Sequence, residues 1–120
     1  MTENLKQIVP VLPSGDIARD ARWYEKHTGF TAVWFDDMYA ILKRGTLYVH
    51  LQWHADTEDD PLLGGSVIRI FTDDVKSLFE EFVTRGTVGE DKLRLGTPWG
   101  TDEFGFYDLN NNAVFIVEDN

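Results

Sequence analysis

The sequence predicts an α+β fold built from two βαβββ modules with curved mixed sheets. Three observations carry this. A β-branched strand followed by a capped amphipathic helix occurs twice, at Ile8–Tyr24 and again at Val67–Phe82. A shift of 58 residues superposes Asp16, Ile17, Ala21 and Tyr24 on Asp74, Val75, Phe79 and Phe82. Each helix is followed by segments that alternate apolar and polar residues, the mark of half-buried strands. Neither helix alone can bury its stripe, so each must lie on a sheet formed by its own hairpins. The halves run from about 5 to 54 and 66 to 118, within one domain spanning residues 1–120.

Taken in order, Ile8–Leu12 reads as the first strand and Pro13-Ser14-Gly15 as a turn. Pro10 cannot donate a ladder hydrogen bond, so it marks an edge or an exchange point. Asp16 is a natural N-cap, because its carboxylate can accept from first-turn amides, and the helix stops near Gly29. Tyr39–Lys43 and Leu47–Trp53 form a hairpin around Arg44-Gly45. Ala55–Pro61, ADTEDDP, is an acidic link to the second half. There Val67–Phe71 is a strand, Asp73 or Asp74 caps, and Val75, Leu78, Phe79 and Phe82 form a stripe ending near Gly86. Gly86–Lys92 is a polar connector. The last hairpin pairs Glu103–Leu109 with Ala113–Val117 through Asn110-Asn111-Asn112, since Asn tolerates the left-handed backbone of a tight turn.

Composition excludes several function classes. The chain has no cysteine, so disulfides, thiolate metal sites and thiol nucleophiles are ruled out. Its net charge of −10 repels nucleic acid and anionic membranes and favours cations in any cleft. No apolar run approaches the ~18 residues of a membrane span, and MTENLKQIVP lacks the basic and apolar regions of a signal peptide. A cytoplasmic protein is expected. No Ser-His-Asp pattern, phosphate loop or discriminating carboxylate pair is present.

Aromatic residues make up 13% of the chain, and most explain themselves as core: Phe30, Phe79, Phe82, Phe104 and Phe106 sit in apolar patterns. One of the adjacent pair Trp23 and Tyr24 must lie nearer solvent. Trp99 differs, being held between Pro98 and Gly100 in a loop. It is either a buried loop anchor or a stacking platform for a flat heteroaromatic ligand. Trp34, Phe35, Met38 or Tyr39 would supply a second wall, and Asp36, Asp37 and Glu103 anionic partners for a cationic tail. Along Leu47–His54, alternation puts Leu47, Val49, Leu51 and Trp53 on one face and Tyr48, His50, Gln52 and His54 on the other. His50 and His54 would stand about 13 Å apart on an ideal strand, too far to share one ion. His50 is read as a polar strand residue or as a hydrogen-bonding pocket wall. Arg69 shares a face with Val67 and needs an acidic partner, either Glu103 or a ligand carboxylate.

Three segments, VPVLPSGD at Val9–Asp16, RWYEKHTGF at Arg22–Phe30 and PWGTDEFGFYD at Pro98–Asp108, resemble the bleomycin resistance proteins of the glyoxalase/bleomycin resistance/dioxygenase (vicinal oxygen chelate) superfamily. The family's usual last turn is Asp-Pro-x-Gly-Asn; here it is Asp108-Leu109-Asn110-Asn111-Asn112. The resemblance implies that Tyr48, His50 and Gln52 face a concave ligand cup. It also implies that the four positions which carry metal ligands in the superfamily's enzymes are Val9, Tyr48, Val67 and Phe115. None of these supplies a carboxylate or imidazole, as divalent ions need, so neither metal nor cofactor is expected. Bleomycin resistance proteins hold ligand in crevices between two subunits, between an aromatic of the Pro-Trp-Gly loop and one from the earlier segment. That carries over to Trp99, and to Met38 or Tyr39. The family also swaps its first strand between subunits. The sequence is therefore expected to encode a homodimeric, metal-free protein that binds a small cationic aromatic antibiotic of the bleomycin type without turning it over. The alternatives are a metal-dependent lyase or dioxygenase of the same fold, and a binder of another small aromatic compound.

Overall fold

The structure is a computed structural model that describes residues 4–120. The first half contains β1 (Val11–Ser14), α1 (Ile17–Thr28), β2 (Thr31–Phe35), β3 (Tyr39–Arg44) and β4 (Leu47–Trp53). The second contains β5 (Val67–Phe71), α2 (Val75–Thr84), β6 (Thr101–Tyr107) and β7 (Ala113–Asp119). The strands form two sheets, ordered β1-β4-β3-β2 and β5-β7-β6. In each, the strand preceding the helix pairs parallel with the last strand of its half, and the other pairings are antiparallel.

The internal repeat is visible in the caps. Asp16 accepts from the Arg19 amide and Asp74 from the Ser77 amide, so of the two candidates for the second cap it is Asp74 that serves. Three elements differ from expectation. The first strand begins at Val11 rather than Ile8, because Pro10 has no amide to give; its carbonyl accepts from the His50 amide just outside the ladder. Pro13 and Ser14 belong to this edge strand instead of a turn, and the Ser14 hydroxyl is buried against Asp20. The first strand of the last hairpin lies two residues earlier than expected, while the second starts at Ala113 as expected. Asp108 Oδ1 accepts from the Asn110 and Asn112 amides at 2.8 and 3.0 Å, ending β6 at Tyr107. Asn111 alone takes the left-handed conformation, with φ of 63°. Finally, the second half lacks one full strand of its βαβββ. Only Arg94 bridges to Glu103, in a segment whose glycines and charges favour strand poorly.

Two apolar clusters form rather than one. Leu12, Ile17, Ala21, Tyr24, Phe30, Ala40, Leu42, Val49 and Leu51 pack between α1 and the first sheet. Val75, Phe82, Phe104 and Ile116 pack between α2 and the second, with Phe79 and Phe106 partly buried around them. Of the adjacent pair, Tyr24 is buried while Trp23 is half-buried and stacks on His27. Leu47, at the hairpin end of its strand, is half exposed although it shares a face with the buried Val49 and Leu51.

Polar contacts join the halves. The Tyr24 hydroxyl donates to Asp108 Oδ2 at 2.6 Å, and burial beside that carboxylate pushes its pKa far above the ordinary tyrosine value. The Asn110 amide donates to Asp20 at 2.7 Å, and Asn112 donates to the Pro13 carbonyl. At the other end of α1, Glu81 takes a fork from Arg44 and a third bond from Arg85. These guanidinium bonds hold the Glu81 carboxyl below its usual range.

Candidate ligand site

Because α1 and α2 cover one face of each sheet, the opposite faces are left open, and Tyr39, Tyr48, His50, Gln52, Arg69 and Glu103 lie there, while Asp36, Asp37, Met38 and Trp99 lie in connecting segments. On β4, Val49 and Leu51 point into the core, so Tyr48, His50 and Gln52 project the other way. Neighbouring Tyr39 on β3 shares that face. Its hydroxyl lies 2.7 Å from His50 Nδ1, with the rings edge-on at 5.3 Å. Lys43 Nζ stands over the Tyr48 ring. His54 is engaged elsewhere, with Asp60 at 2.7 Å, so the two histidines make no common site.

The β2–β3 turn sets out the proposed second wall. A bulge between Ala32 and Trp34 resets the register of β2. Trp34 and Met38 are 50% and 55% exposed. Asp36 differs from expectation as an anionic partner. Its Oδ1 accepts from the Met38 and Tyr39 amides at 2.8 and 2.9 Å, so it builds the turn. Asp37, next to it, is exposed.

The second half holds the tightest cluster. Glu103 is 1% exposed, yet it is an acid on a strand. Arg69 donates to both of its oxygens, at 3.0 and 3.3 Å. Oε1 also accepts from the Thr101 hydroxyl at 2.6 Å and from Trp99 Nε1 at 2.7 Å. Arg69, Thr101 and Trp99 together outweigh burial and pull the Glu103 pKa down to about 2. Glu103 is therefore closed off rather than an open anion awaiting a cationic tail, because donors from its own chain surround it. Arg69 pairs within the chain, the plainer of its two expected roles, and lies over the rings of Phe71 and Phe115. Trp99 is not the buried loop anchor that was one of its two expected roles. It is 55% exposed, but its indole nitrogen is anchored. The Arg94 guanidinium stands 5.1 Å from its ring centroid.

Sequence reasoning missed Arg94 and Thr101. Thr101 was findable, since it lies two residues before Glu103 on one strand and so on the same face. Arg94 carried no local signal; it is brought to Trp99 by its isolated bridge to Glu103.

Tyr48 and Arg69 meet along an open cavity of about 420 Å³, lined also by Val9, Leu47, Ile68 and Phe71. Its chemistry does not fit a metal. Its lining holds no His, Cys, Asp or Glu, and among the described residues no three of these converge as a ligand set. Phe115 is built in firmly: its ring lies where a Cβ on Gly105 would sit, 2.6 Å from two ring carbons.

Comparison with known proteins agrees with the fold. The bleomycin resistance protein of Geobacillus stearothermophilus is 25% identical over a 126-residue alignment covering 93% of this chain and 96% of that protein. A crystal structure of a bleomycin-binding protein complexed with bleomycin superposes with a TM-score of 0.78 at 24% identity, covering 97% of this chain and all of the other. The bleomycin-binding protein of Streptomyces verticillus, complexed with copper(II)-bleomycin, gives 0.74 at 21% identity, over 99% of this chain and all of that one. A family model matches residues 5–116, and the chain belongs to the Glyoxalase/Bleomycin resistance protein/Dioxygenase superfamily.

Proposed function

We propose that the protein sequesters a planar, cationic antibiotic of the bleomycin type, without metal and without turnover, at crevices between two copies of the chain. The observation that carries this is Trp99, a half-exposed indole pinned through its nitrogen and already stacked with a guanidinium, Arg94. A ring that holds one planar cation within the chain is suited to hold another. Relatives named as bleomycin resistance proteins and the bleomycin-bound fold neighbours support the choice of ligand. Trp34 and Met38 or Tyr39 would form the second wall. Asp37, Tyr48, His50 and Gln52 would contribute polar contacts along the open sheet faces. A net charge of −10 draws a cation toward these faces.

A second copy is part of this reading. Val67, Phe71, Trp34, Phe35 and Met38 are all substantially exposed, a load of open apolar surface that a partner would cover. The arm before β1 leaves Leu5 87% and Ile8 97% exposed, as exchange of the chain start between copies would require. Among the described residues no helix is long and apolar enough to cross a membrane, and we place the protein in the cytoplasm.

The test is titration with metal-free and copper(II)-loaded bleomycin, followed by tryptophan fluorescence. Binding is expected for the native chain. Trp99→Ala should weaken it by ~1–3 kcal/mol, the scale of aromatic stacking on a planar base, or about 5- to 150-fold. Raised salt should weaken it further. Affinity per folded molecule that is unchanged in Trp99→Ala would refute the platform. Stoichiometric metal with lyase or dioxygenase activity would refute sequestration.

A further inference from the structure

We propose that Glu103 is the positioning residue of the Trp99 platform: from beneath the surface, its carboxylate holds the indole nitrogen and so fixes the plane on which a flat ligand stacks. This rests on the reading of Trp99 as a stacking wall.

Trp99 lies in a tight loop closed by its backbone. The Thr97 amide donates to the Thr101 carbonyl at 2.9 Å, the Gly100 amide to the Thr97 carbonyl at 3.0 Å, and Gly100 has φ of 84°. The loop fixes where the side chain starts but not how the ring turns, since more than half of Trp99 is in solvent. The second point of attachment is the 2.7 Å bond from Nε1 to Glu103 Oε1. A carboxylate acceptor makes this a charge-assisted bond, roughly twice as strong as a neutral one. Two attachments define the orientation of a rigid bicyclic ring.

The carboxylate is itself immobile. It projects from β6, whose next residue, Phe104, is buried in the core of the second half. Arg69 binds it through both nitrogens and is held in turn against Phe115 and Phe71. Thr101 adds a third donor. The order of support thus runs from the sheet through Phe115 and Arg69 to Glu103, and from there to the exposed ring. A buried, ionised Glu103 has no other use for its charge that the fold requires, since an apolar residue would pack beneath the loop without needing Arg69.

The experiment is a double-mutant cycle of E103Q and W99F, with metal-free bleomycin as titrant and affinities expressed per folded molecule. Phenylalanine keeps a stacking ring but has no N–H to hold. With Trp99 present, E103Q should weaken binding about 3- to 10-fold, the cost of newly immobilising one side chain on binding. In the W99F background, E103Q should change affinity by less than about twofold. An equal effect in both backgrounds would overturn the proposal, because Glu103 would then act through general stability. In the unmutated protein, the indole ¹⁵N–¹H resonance missing from W99F should exchange slowly with water and shift in E103Q. Fast exchange there would overturn the proposal even if E103Q failed to fold. W99A separates the two readings: if it leaves affinity unchanged, the platform itself fails, whereas weakened binding in W99A with none in E103Q removes Glu103 alone.

Discussion

Replacing Glu103 by glutamine should convert a pH-dependent source of stability into a pH-independent one. In the folded chain Arg69, Thr101 and Trp99 lower the Glu103 pKa from 4.5 to about 2. At about 1.4 kcal/mol per pH unit, that difference is worth on the order of 3 kcal/mol of folding free energy. The folded pKa is the depressed one. The contribution is therefore complete above about pH 4.5 and is lost as the pH falls toward 2. Glutamine does not titrate, and its amide turns a donor toward Arg69. The gap in stability between native chain and E103Q should thus be about 3 kcal/mol near neutrality and close steadily between pH 4.5 and 2. Urea unfolding at several pH values, at one protein concentration, measures it. With an m-value of about 1.5 kcal/mol/M, the midpoints should lie about 2 M apart at pH 7 and converge in acid. Other acids in the same window, Glu81 among them, affect both proteins alike and cancel. A gap that stays constant from pH 7 to 2 would show that Glu103 contributes by packing alone, and the charge network argued above would be refuted.

Three further outcomes are expected. Gly105→Ala should destabilise the fold by ~1–3 kcal/mol through overpacking, because its Cβ would meet the Phe115 ring at 2.6 Å; melting with a Phe115→Leu partner should recover part of the loss, and no recovery would implicate backbone instead. Tyr24→Phe should cost ~1.5–3 kcal/mol, the scale of a buried hydrogen bond to a charged group, and in the native chain Tyr24 should stay un-ionised at a pH where absorbance shows exposed tyrosines ionising. Sedimentation at micromolar concentration should give about twice the 13.8 kDa chain mass, and a persistent monomer would remove the intersubunit crevice.

What could be read from the sequence was whatever depended on local chemistry. Asp16 and Asp74 cap because an aspartate before an apolar stripe has few better uses, and β4 and β5 stand where alternation put them. The β1 shift is latent in Pro10, whose missing amide keeps the ladder from starting before Val11. The polar residues were harder. Asn110 and Asn112 look like turn residues, yet both are buried and bind the first half across ninety and ninety-nine positions of chain. No pattern within either segment encodes the other. Glu103 is legible as a partner for Arg69, and Thr101 as its same-face neighbour, but its enclosure by four hydrogen bonds is not, because Trp99 reaches it only once the loop closes. Acidic residues near an aromatic loop invited a ligand contact, where the fold uses one to build a turn and another to hold a ring.

The last turn of α1 carries a consequence for how the chain unfolds. A helix ends with four carbonyls that its own backbone does not fill. Here the Gly29 amide still reaches the Glu25 carbonyl, which also accepts from Arg85; the carbonyl of Lys26 accepts from Arg85, that of His27 from the Thr87 hydroxyl, and that of Thr28 from Arg44, which Glu81 holds in place. Arg85 and Thr87 belong to the other half. Each module has its own buried cluster, and Ile70 of β5 packs against both; modules joined by no more than that would melt as two events. In this chain the first helix is finished by residues some sixty positions downstream, so pulling the modules apart frays a helix as well as a seam. Loss of either module should draw the other down with it, and a duplicated architecture comes to behave as a single cooperative unit.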